Sequence, residues 1–148
     1  MKLTDEVIIP VPRTKVWQAL NDPEVLRQAI PGCEEIAKKS DTEMEAKVTV
    51  KMGPVKASFK GSVTLLDLDP PNGYRIQGEG KSLMGGAVGG ANVRLEDVPE
   101  GTRLIYDVDA QVTGKIASLA QRFIEPTAKQ LSAQFFESFA KLAENEPG

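Results

Sequence analysis

Two tyrosines, one cysteine and 21 carboxylates are available for proton or nucleophile chemistry in this 148-residue chain, and histidine is absent. Without an imidazole there is no Ser-His-Asp or Cys-His nucleophile, no histidine metal ligand and no side chain that ordinarily titrates near neutrality. Carboxylates, lysines and tyrosines remain. Asp107 and Asp109 share one parity of a strand and read as surface charge rather than as a paired acid and base. Glu34-Glu35 and Asp67/Asp69 have no ligand-loop setting, so neither a catalytic set nor a metal site is expected. Cys33 follows a Pro-Gly corner and suits a small buried hydrophobe better than a nucleophile. The run from Gly78 to Gly90 invites a phosphate-loop reading. It fails, because Arg75 stands where that pattern needs the glycine five residues before Gly80, and no helix follows. A flexible strand edge and loop is expected there, with a gate as its functional version.

The elements that must position these residues follow from periodicity. At 148 residues, 41% hydrophobic and 26% charged, the chain suits a single domain spanning 1–148 with a real core. A net charge of −3 argues against nucleic-acid binding. A lone cysteine, no signal-like start and no membrane-length apolar run make a cytoplasmic protein the expectation. Glu6 to Val11 reads as a strand and Thr14 to Leu20 as a short helix. Asp22 as N-cap with Pro23 at the first helical position starts a second helix, which stops at Ile30-Pro31-Gly32.

From Cys33 the period becomes 2. Met44, Ala46, Val48, Val50 and Met52 point one way, and after Gly53-Pro54 so do Val55, Ala57, Phe59, Gly61, Val63 and Leu65. A phase slip at Leu65-Leu66 predicts a bulge. Strands follow over Tyr74 to Gly80, Ala91 to Val98 and the Leu104 to Val112 alternation. Gly114 to Leu142 is a long amphipathic helix with Pro126 at a shift in its apolar direction, where a bend is expected. The predicted class is α+β: a curved antiparallel sheet of about seven strands, two short helices after strand one, and a long C-terminal helix gripped by the sheet.

The inward set is rich in small residues: Ala46, Ala57, Gly61, Gly78, Gly80, Ala110 and Ala120. Close helix approach or relief of sheet curvature would account for them, and so would a hollow for an apolar ligand. Met52, Met84 and Phe59 are candidates for its adaptable wall, although plain core is the commoner role of methionine. Ile30, Leu119, Phe123 and Leu131 complete the apolar lining, and Leu83 sits at a loop tip open to a ligand, a membrane or a partner. Thr127 either bonds back to the Phe123 carbonyl or meets a ligand's polar head, and Tyr106 has the same two options. Lys38, Lys39, Lys47, Lys51, Lys56 and Lys60 form a wet sheet face or, functionally, a dock for acidic surfaces or anionic headgroups.

Val11-Pro12-Arg13-Thr14-Lys15-Val16-Trp17-Gln18-Ala19-Leu20-Asn21-Asp22-Pro23 resembles the opening of START-like polyketide-cyclase and lipid-transport domains. Ile30-Pro31-Gly32-Cys33, the stretch Val50 to Gly61, Gly101 to Tyr106 and Val112 to Ala117 are similar to the family of the CoxG subunit of carbon monoxide dehydrogenase. That resemblance implies a helix-grip fold with a hydrophobic cavity and no resident cofactor beyond a bound quinone or other prenyl lipid. It also implies a molybdenum hydroxylase of the carbon monoxide dehydrogenase type as partner. Transient contact with the inner face of the plasma membrane is implied as well. Longer members carry a C-terminal extension toward the membrane, whereas this chain ends in Glu144-Asn145-Glu146-Pro147-Gly148, so an anchor of that kind is not expected. Three readings stay open: a non-enzymatic carrier, a membrane-recruitment or maturation factor, and a cyclase-like enzyme working through a buried carboxylate or tyrosine.

Overall fold

The computed structural model describes residues 1–147. Its elements run β1 (Lys2–Ile9), α1 (Arg13–Leu20), α2 (Pro23–Ala29), β2 (Cys33–Lys38), β3 (Glu43–Met52), β4 (Val55–Asp69), β5 (Gly73–Ser82), β6 (Gly85–Val98), β7 (Gly101–Val112) and α3 (Lys115–Ala143). All seven strands form one antiparallel sheet in the order β1-β7-β6-β5-β4-β3-β2. The chain therefore meanders from β2 to β7, and only β1 arrives from elsewhere to close the far edge. The helix-grip α+β architecture is the observed one.

Local chemistry explains most boundaries. The Asp22 side chain accepts from Glu24 N–H at 3.0 Å and Pro23 occupies the first helical position, so α2 starts at that cap. At the other end of α2, Gly32 takes φ +76, and a Cβ there would lie 2.0 Å from the Thr49 carbonyl oxygen. Gly32→Ala is expected to destabilise the fold by at least about 1–3 kcal/mol from backbone strain alone, as a lowered urea midpoint would reveal. The bulge expected at Leu65-Leu66 falls slightly later, between Leu66 and Asp69, where Asp67 adopts φ +50.

The glycine run is the main departure. Residues 85–90 are not a loop: they are the first half of β6, with Gly89 paired to Gly78 on one side and Ala110 on the other. The turn between β5 and β6 is only Leu83-Met84. A Cβ on Gly89 would sit 2.7 Å from the Asp109 carbonyl oxygen. The glycines thus permit close backbone packing within a curved sheet, and the expected gate has no loop to move.

α3 continues as helix through Pro126, 29 residues in all. Its buried side changes along its length as expected: Ile116 and Ala120 near the start, Phe139 and Ala143 near the end. These face two separate apolar clusters. Phe139 joins Ile9, Val16, Leu95 and Leu104 in the larger one, together with α1 and α2. Ile116 and Ala120 join Met52, Val55 and Ala57 in the smaller one, with Phe59, Met84 and Phe123 packed against it.

Candidate functional site

Within the larger cluster the sheet and α3 stand apart. The space is a hollow of about 400 Å³. Cross-strand register builds its floor: Leu65, Ile76, Ala91 and Val108 form one rung, and Tyr74, Val93 and Tyr106 the next. Met44, Val48 and Val63 extend it toward β3, with Leu104 beyond. Leu131, Ser132, Phe135 and Phe136 of α3 form the roof. Leu20, Leu26, Ile30, Pro31 and Ile36 close the side where α2 meets β2. Every lining side chain is apolar except Tyr74, Tyr106 and Ser132. No carboxylate, lysine or arginine is among them. Among the described residues, no cluster of three or more acids or cysteines suited to a metal ion is present either.

The two phenols differ. Tyr74 is only 7% exposed and its ring meets Trp17 edge-on, with centroids 5.3 Å apart. Burial pushes its phenol well above the usual tyrosine range. Among the described residues, no fully occluded side-chain oxygen or nitrogen lacks a hydrogen-bond partner. Among the described residues no hydrogen bond to the Tyr74 hydroxyl is present, and Tyr74 is part of the wall of the hollow. Tyr106 packs on Phe136 with centroids 5.2 Å apart. Burial raises its phenol too, while the Ser132 hydroxyl pulls the other way and Asp5 adds a smaller upward push. Both phenols are neutral at physiological pH and can donate to a ligand oxygen.

Of the ten lining residues expected from sequence, Ile30, Tyr106 and Leu131 are on the wall. Met52, Phe59, Met84 and Phe123 are not; they belong to the smaller cluster, a filled plug at the end of the sheet. Met52 and Phe59 share strand parity with the wall, but the β3–β4 hairpin and the start of α3 converge there. A Cβ on Gly53 would come within 2.5 Å of the Phe123 ring. Leu119 is 56% exposed and Leu83 fully exposed, because the first turns of α3 overhang the sheet edge and the β5–β6 turn projects. Thr127 is half-buried on α3, outside the hollow.

Ala46, Gly61, Gly80 and Ala87 form one continuous rung, and Gly80 lies under Phe59, 3.5 Å from where its own Cβ would be. That rung lies between Met44 and Val48, both on the wall of the hollow, and meets the plug at Phe59. Sequence reasoning missed Met44, Val63, Leu65, Ile76, Val93, Phe135 and Phe136. Their signal, inward parity, was visible but identical to that of plain core. Cys33 is half-buried rather than buried, at the start of the edge strand β2, and burial raises its thiol.

Residues 6–143 match the model of the family described as the CoxG subunit of carbon monoxide dehydrogenase. No curated protein matches the chain significantly. Among solved structures, a conserved protein from Geobacillus kaustophilus superposes with a TM-score of 0.89 at 24% identity, over 97% of this chain and 95% of that one. Ara h 8.0201 gives a TM-score of 0.68 at 17% identity, over 97% of both chains. The Zhui aromatase/cyclase from Streptomyces sp. R1128 gives 0.67 at 16% identity, over 97% of this chain and 93% of that one. At such identities these likenesses speak to the fold alone. With the matched segment spanning nearly the whole helix-grip domain, the chain belongs to the CoxG family of carbon monoxide dehydrogenase subunits.

Proposed function

We propose that this protein is a non-enzymatic carrier that holds a neutral lipophilic molecule, a quinone by preference, beneath α3. It would serve a molybdenum hydroxylase of the carbon monoxide dehydrogenase type at the inner face of the plasma membrane. One observation carries the reading: a hollow of about 400 Å³ whose only polar side chains are three hydroxyl-bearing ones. Such a volume is at the lower end of the range for small-molecule sites, about 300–1,000 Å³. It suits a ring headgroup and a short tail. Each buried CH₂ contributes about 0.8 kcal/mol, so a prenyl unit adds useful affinity with no polar contact. The Tyr74 hydroxyl, without a hydrogen-bond partner among the described residues, would supply a donor for a quinone carbonyl. Acid–base catalysis of a cyclase type would fall to two phenols that burial keeps neutral, which favours shielding over chemistry. The partner is inferred from the family's description.

Native mass spectrometry and lipid extraction of the purified protein test the carrier reading, together with a menadione titration read by Trp17, the single tryptophan, beside Tyr74. Co-purified prenyl lipid and saturable quenching are the expected results. Tyr74→Phe is expected to weaken menadione about 5–10-fold, the value of one hydrogen bond, at unchanged thermal midpoint. A protein that is empty, that menadione does not quench, and that co-purifies with the hydroxylase would instead be a recruitment or maturation factor.

A further inference from the structure

We infer that the end of the molecule around the β5–β6 turn is a docking tip for an anionic lipid bilayer. Three segments far apart in sequence converge there. Met84 O accepts from Ile116 N at 2.9 Å, tying the β5–β6 turn to the first turn of α3. The β3–β4 turn reaches the same helix at Phe123. Residues 49–58, 80–90 and 110–124 carry Lys51, Lys56, Lys81, Lys115 and Arg122 and no acid at all, in a chain with 21 acids and a net charge of −3. Elsewhere, among the described residues, six of the other thirteen cations are paired with carboxylates, among them Lys47 with Glu34, Lys39 with Glu45, Arg103 with Glu6 and Lys129 with Glu125. Among the described residues none of the five tip cations forms a direct ion pair with a carboxylate, Glu34 acting on Lys56 only at longer range, while Arg122 lies 5.3 Å from the Phe123 ring centroid. Lys51 and Lys56 even stand directly opposite each other across β3 and β4, a repulsion that folding does not require.

Two apolar side chains stand among these charges. Leu83 is 105% exposed at the turn and Leu119 is 56% exposed on α3. A projecting hairpin turn cannot offer the roughly 800 Å² per partner of a stable protein interface. It can sink one or two leucines among headgroups while flanking lysines meet anionic phosphates, the arrangement that favours interfacial binding. Among the described residues no helix is long and apolar enough to cross a membrane, so the contact would be peripheral and reversible. The larger consequence is orientation. The plug of Met52, Phe59, Met84 and Phe123 lies between tip and hollow, so docking points that end of the barrel at the bilayer.

Vesicle co-sedimentation of the full chain tests this, using phosphatidylcholine alone and phosphatidylcholine mixed with phosphatidylglycerol. The mixed vesicles are expected to bind preferentially. Lys81→Glu with Lys115→Glu should lower that binding at least about 20-fold, from about five-fold per cation at an anionic surface. Leu83→Ser should lower it about ten-fold or more, as loss of an inserted side chain requires. Lys38→Glu with Lys39→Glu, equal in charge but at the end of β2, should leave it unchanged. No preference for anionic vesicles, an equal loss in the β2 control, or indifference to Leu83→Ser would each overturn the proposal. Unchanged thermal midpoints certify the variants. The vesicles carry no quinone, so the result is independent of what the hollow holds.

Discussion

Phe139→Ala is expected to remove about 3–5 kcal/mol of folding free energy, the range for emptying an aromatic site in a closed core. Phe139 has no exposed surface, and its ring stacks on Phe135 with centroids 5.3 Å apart. It joins α3 to the packing of α1, α2 and the β1–β7–β6 end of the sheet. The loss would consume a large part of the roughly 5–15 kcal/mol that a domain of this size typically has. Urea denaturation followed by far-ultraviolet circular dichroism would show it as a fall in midpoint with little change in slope. A second effect separates this residue from an ordinary core position. Phe135 lines the hollow and leans on Phe139, so the vacated volume would open beside the existing space. Ligand affinity should therefore fall together with stability, because the roof loses its support.

Ala91→Phe is expected to do the opposite: abolish ligand uptake while leaving the fold standing. Ala91 faces inward between Ile76 and Val108 in the middle of the floor. A benzyl group there would occupy space that is open in the hollow, so the usual penalty of about 1–3 kcal/mol for overpacking is largely avoided. At least about a 100-fold loss of menadione affinity is expected, with the prenyl lipid missing from extracts and the thermal midpoint changed by only a few degrees. If quenching survived intact, the ligand site would have to lie elsewhere. The combination of the two variants distinguishes support of the roof from occupation of the space beneath it.

The two apolar clusters divide the labour under α3. The plug packs the first half of the helix against the β3–β4 hairpin and the β5–β6 turn. The larger cluster packs its second half against α1 and α2. The middle, around Leu131 and Ser132, is held above the sheet by both ends. Pro126 lies near that middle and withholds one backbone donor. A helix anchored at both ends over a twisted sheet spans a gap much as a beam does.

Much of this was legible without coordinates because it is local. The change of period from 3.6 to 2 at Cys33, the Asp22-Pro23 cap and the apolar stripe from Ile116 to Phe139 depend on neighbours within a turn or a strand, so element type, order and the inward parity of each strand could be read directly. The absence of histidine likewise removed whole reaction classes by composition. Tertiary structure alone decided which inward residues border the hollow and which fill the plug. Met44 and Met52 have the same type, strand and parity, yet one lines the cavity and the other is packed under Phe123's helix. The difference lies in how far α3 stands from the sheet at each rung, a distance set by long-range register and twist that no window of sequence contains. The glycines of β6 carry the same lesson: low strand propensity argued for a loop, and pairing with β5 and β7 on both sides overrode it. The acid-free tip exists only because three segments, each ordinary by itself, fold to one end.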